Sequence, residues 1–148
     1  MSEPTSADPP TDFHAASSRG RPLSLTDFEG KVPVALAFLG PLEPEGQELA
    51  DLDRHQVEFG RRRVQLLAIT QAAGPDVRAV PFSGLDLPVL ADPHDEIATR
   101  FADGGPVKGY FVLLDPSGAI VERGALQGAE ALLARVDANA DRLGMTLG

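Results

Sequence analysis

The segment VPVALAFL, Val32–Leu39, constrains the fold more than any other part of the chain. It carries no charged or polar side chain, so it suits a central strand covered on both faces. Pro33 belongs at its start, because a proline has no N–H to give to a sheet ladder. A Gly/Pro loop follows, and then PEGQELADLDRHQVEF, Pro44–Phe59, reads as a helix. Pro44 fits the first turn. Glu43, Glu45 and Glu48 favour the positive end of the helix dipole. Leu49, Leu52, Gln56 and Phe59 fall on one face, with Val57 at its margin. Gly60 and the arginines 61–63 suit the helix end.

The rest of the chain continues the alternation. VQLLAIT, Val64–Thr70, reads as a second buried strand. A broken connection follows, with one helical turn around Asp76–Val80. VLA, Val89–Ala91, is a short strand, and DPHDEIATRFA, Asp92–Ala102, is a short helix with Ile97 and Phe101 at i,i+4. YFVLL, Tyr110–Leu114, and AIVER, Ala119–Arg123, form a hairpin whose turn is supplied by Pro116 and Gly118. AEALLARVDANADRLG, Ala129–Gly144, is the closing helix, with Leu132, Leu133, Val136, Ala140 and Leu143 on its apolar face. Near the start, Pro22–Leu25 alternates briefly before a turn-like DFEGK. Alternating strands and helices that end in an antiparallel hairpin imply an α/β fold: a mixed sheet flanked by helices on both faces.

Composition limits function more than fold. The chain has 148 residues, 43% of them hydrophobic, which suits one domain with one real core. Residues 1–11 are rich in Ser, Pro, Thr, Asp and Glu and are expected to be a disordered tail, leaving residues 12–148 as the folded domain. The net charge of −9 argues against nucleic acid and against an anionic membrane surface. No apolar run approaches the roughly 20 residues that span a bilayer. The N-terminus lacks the basic and apolar regions of a secretory leader, so the cytoplasm is the expected location. There is no cysteine. Disulfides, zinc–thiolate sites and thiol catalysis are therefore outside this chain's chemistry.

Several phrases in this order resemble the peroxiredoxin branch of the thioredoxin-like superfamily, the AhpC/TSA or redoxin domains. DFHAASSRGRPLSLTDFEGK is similar to the family's opening, an Asp-Phe, a short hairpin and a D-F-x-G-K. VPVALAFL resembles the strand that delivers the catalytic loop, and VQLLAIT the next strand. LPVLADPHDEIATRFA and YFVLLDPSGAIVERG resemble the later strand–helix segment and the hairpin. The resemblance covers Asp12 to Arg123 and the final helix. It implies a thioredoxin-like, peroxiredoxin-type fold.

In that family a cysteine at the N-terminus of the first long helix is held as a thiolate and attacks a peroxide. A common pattern there is Cys, two residues, then Glu-Leu. Matched on Glu48-Leu49, it places Glu45 at the cysteine's position, and Leu42 where a threonine or a first cysteine would stand. The family's arginine before the hairpin matches Lys108. A glutamate has no sulfur to oxidise and attacks an O–O bond poorly. Two readings of this pair follow. In one, Glu45 is a fixed anion standing in for the thiolate, with Lys108 as its cationic neighbour. In the other, both are ordinary surface charges.

The remaining constellations are weaker. DPHDE, Asp92–Glu96, gathers acids around His94, but acids are common at helix starts and the spacing matches no known ligand set, so neither a metal nor a cofactor is expected. His55 and Asp51 read as an i,i+4 surface pair. His14 has no evident partner, and no serine sits in a nucleophile elbow. GGPVKG, Gly104–Gly109, is not a phosphate cradle; with GPLEP it belongs at the end of the sheet where the family's chemistry occurs. FGRRR is a helix-end cluster or a dock for an acidic partner. The expectation is a non-catalytic peroxiredoxin-like protein that acts through an unknown protein partner, with a homodimer as an association the resemblance implies and a monomer as the equal alternative. The competing readings are a redoxin by descent and an enzyme with non-thiol chemistry in the former pocket.

Overall fold

The computed structural model describes residues 14–18, 21–28, 30–41, 47–80, 86–102, 105 and 108–144. The expected N-terminal tail, 1–11, lies outside them. The chain opens with two short antiparallel strands, β1 (His14–Ala15) and β2 (Leu23–Ser24), followed by a 3-10 turn over Leu25–Asp27. Then come β3 (Val34–Pro41), α1 (Gln47–Arg61), β4 (Gln65–Gln71), α2 (Gly74–Arg78), β5 (Val89–Ala91), α3 (Glu96–Ala102), β6 (Tyr110–Leu114), β7 (Ile120–Ala125) and α4 (Ala129–Ala138). The five-stranded sheet has the order β5-β4-β3-β6-β7. β3, β4 and β5 run parallel, whereas β6 and β7 are antiparallel to their neighbours. This is the mixed sheet that the order of elements predicts.

Both faces of the sheet are covered, and the side chains divide by strand alternation. Ala35 and Ala37 of β3 join Leu66, Ala68, Phe111 and Leu113 against α1, α2 and α4. Val34, Leu36 and Phe38 face the other way, with Leu67, Ile69, Val112 and Leu114, against α3 and the N-terminal strands. A run without polar residues is what a strand buried on both sides requires. The β5 edge is covered in part by the N-terminal segment. The Ser18 N–H donates to the Val89 carbonyl and the Ala91 N–H to the Ala16 carbonyl, while the Val89 N–H donates to Ser18 Oγ. Among the described residues no helix is long and apolar enough to cross a membrane.

Several boundaries differ from the expectation. The central strand does not stop at Leu39. It shifts register against β4 between Phe38 and Gly40 and continues to Pro41, so the start of the Gly/Pro loop is strand. Gly60 does not end α1. It is helical, and Arg63 adopts the left-handed conformation (φ 58°) instead. The Val64 N–H reaches the Phe59 carbonyl and the Arg63 N–H the Gly60 carbonyl, the paired bonds of a Schellman ending, with Val64 and Phe59 both buried. Val57 points to solvent, 56% exposed, while Leu49, Leu52 and Phe59 are buried. α3 begins at Glu96 rather than Asp92, because 92–95 form a turn closed by the Asp95 N–H on the Asp92 carbonyl. α4 ends at Ala138, and turns carry the chain to Gly144 with Ala140 and Leu143 still buried.

Candidate functional site

At the C-terminal end of β3, Gly40 and Lys108 meet, one from each of the two segments that the sequence assigns to one end of the sheet. Gly40 has φ 85°, a backbone state that a side chain strains. A Cβ there would lie 3.1 Å from Cδ and 3.2 Å from Cβ of Lys108. The stem of Lys108 therefore lies across the bare backbone of Gly40. The Gly109 N–H donates to the Phe38 carbonyl at 2.7 Å, which holds the second loop in place. Lys108 is exposed, as is Glu48 in the first turn of α1. Leu42 and Glu45 lie outside the described residues. Of the three positions matched to the former active site, the structure describes Lys108 alone, and it lies against the end of the central strand.

Beneath this end sits an aromatic group. Phe38 stacks on Tyr110 with ring centroids 4.4 Å apart and an interplanar angle of 3°. Phe101 meets Phe38 at 5.7 Å, tilted by 43°. The Tyr110 hydroxyl donates to the Ala98 carbonyl. Burial pushes its pKa well above the ordinary 10.0; Arg123 opposes this, and the charges of Asp92 and Asp95 add to it. The hydroxyl therefore stays protonated and serves as a donor. Thr70 Oγ1 donates to the Leu90 carbonyl at 3.3 Å. Both hydroxyls donate to neighbouring backbone carbonyls.

Two of the acids around His94, Asp92 and Asp95, have structural uses. The buried Asp92 carboxylate accepts from the N–H groups of Ile97 (3.1 Å) and Ala98 (2.9 Å) and so caps α3. Asp95 (φ 55°) accepts from Gln71 Nε2 at 2.9 Å, and His94 is exposed. Among the described residues no group of three or more His, Cys, Asp or Glu could hold a metal ion. His14, which has no evident partner in the sequence, has its Nδ1 2.6 Å from Ser24 Oγ.

Two aspartates on α1 do more than their spacing suggests. Asp51 makes the expected local contacts, with His55 Nδ1 3.5 Å from its carboxylate and Arg54 at 2.8 Å. Its other oxygen accepts from the Ala129 N–H at 2.9 Å and caps the first turn of α4, where Gly128 offers no side chain. That backbone bond is the first cause of its lowered pKa; burial works against it, and Arg54 and His55 add to the lowering. Asp53 Oδ1 accepts from the N–H groups of Asp86 and Leu87, both at 2.8 Å, and ties the segment before β5 to the helix. No local pattern marks either role. Two of the basic residues at the end of α1 are likewise occupied. Arg61 pairs with Glu58, and Arg62 grips Asp137 of α4 with two bonds of 2.7 and 3.1 Å.

The architecture matches known structures closely and the sequence does not. No protein-family profile matches the chain, and no curated protein matches it. Among solved structures, Enterococcus faecalis AhpC superposes with a TM-score of 0.71 at 19% identity, over 93% of this chain and 94% of that one. The peroxidoxin BcpB from Mycobacterium tuberculosis gives 0.71 at 19% identity, covering 89% and 93%. The bacterioferritin comigratory protein of Xanthomonas campestris, whose structures concern alkyl peroxide reduction, gives 0.72 at 18% identity, covering 86% and 92%. The fold is thus thioredoxin-like and of the peroxiredoxin type, in a chain without cysteine.

Proposed function

We propose that this chain acts through protein binding, as an accessory or interaction subunit in the cytoplasm, and not as a thiol peroxidase. One observation carries the proposal: a peroxiredoxin-type fold in a sequence of 148 residues with no cysteine. Without a thiol no sulfenic acid forms, so the chemistry associated with this fold cannot run on this chain. The committed hydroxyls of Thr70 and Tyr110 favour the same reading over relocated hydroxyl chemistry. In this proposal the loops around Gly40 and Lys108 supply a contact surface, because loops on a rigid scaffold are where binding residues concentrate. The exposed Lys108 supplies its charge.

The test has two arms. Hydrogen peroxide and cumene hydroperoxide consumption is measured with thioredoxin or dithiothreitol as reductant. The expected rate equals the no-protein control, and turnover above it overturns the non-catalytic half. In the second arm, wild type and Lys108→Glu are used to capture partners from native lysate. A partner retained by wild type and lost by the variant supports the surface. Equal capture by both removes Lys108 from it, and sedimentation of the pure protein separates a foreign partner from a second copy of the chain.

A further inference from the structure

We draw no further inference here: the strongest candidate, the outer edge of β7, which no other described strand pairs, carries nothing because nothing in the structure shows what covers it.

Discussion

Arg63 stands where helices commonly place glycine. An L-residue in the left-handed region costs about 1–2 kcal/mol, and the exposed Arg63 side chain sits beyond the last turn of α1. Arg63→Gly should therefore stabilise the protein by about 0.5–1 kcal/mol, once the greater chain entropy of unfolded glycine is subtracted. Urea denaturation measures this; an unchanged or lower midpoint would contradict it. Gly124 makes the opposite case. It faces Phe111 across β6 and β7, and a Cβ there would lie 3.0 Å from the Phe111 ring. Because Phe111 is buried, Gly124→Ala should destabilise by about 1–3 kcal/mol through overpacking. Neither outcome is legible locally. The sequence offers Gly60 as the natural helix stop, and only the packing of Phe59 and Val64 moves the stop three residues on.

At the scale of elements, α4 is held to the rest of the molecule by carboxylates as well as by its apolar face. Asp51 caps its start, Asp137 binds Arg62, and Glu122 of β7 accepts from Arg135 and Asn139. Asp51→Ala should cost about 1 kcal/mol, typical of a lost N-cap, and should increase hydrogen exchange in the first turn of α4. The hydrogen bond from Arg62 lowers the pKa of Asp137, and that from Arg135 lowers the pKa of Glu122. Folded values below the ordinary 3.8 and 4.5 mean that the folded state binds fewer protons than the unfolded one in that window. The stabilisation is fully present above the ordinary values and is lost as pH falls through the folded ones. Urea midpoints should therefore drop below about pH 4, and an Asp137→Asn, Glu122→Gln variant should lose less over the same range. Each bridge is partly exposed, so the effect is about 0–1 kcal/mol apiece. A pH slope identical to wild type would show that these carboxylates do not carry it.

At the scale of the whole molecule, stability rests on the two apolar layers and on no cross-link. Thermal unfolding should be the same with and without dithiothreitol, since the chain has no cysteine; a shift would contradict this. Phe59, fully buried between α1 and the sheet, is the sharper probe. Phe59→Ala should cost about 3–5 kcal/mol in urea denaturation, a large share of a small domain's total. A cost within the range of surface substitutions would mean that this layer is not the core.

Alternation and apolar runs were enough to place β3 to β7 and the four helices in their order, because periodicity is a local property that burial selects directly. Val89–Ala91 and Tyr110–Leu114 were legible to the residue. The lack of thiol chemistry was legible without any structure, since the absence of cysteine is a property of composition. What the sequence could not supply were the meetings between distant positions. Asp51 and Ala129 are 78 residues apart, and Asp53 and Leu87 are 34 apart. On α1 alone these aspartates are solvated acids; they become caps only when the sheet sets α4 and β5 beside that helix. The stem of Lys108 over Gly40 is likewise a product of register, since β6 runs antiparallel to β3 and returns its leading loop to the point where β3 ends. Local chemistry determined which elements form and which reactions are closed to the chain. Tertiary packing decided which polar groups meet, because those partners approach one another only after the apolar faces have been buried.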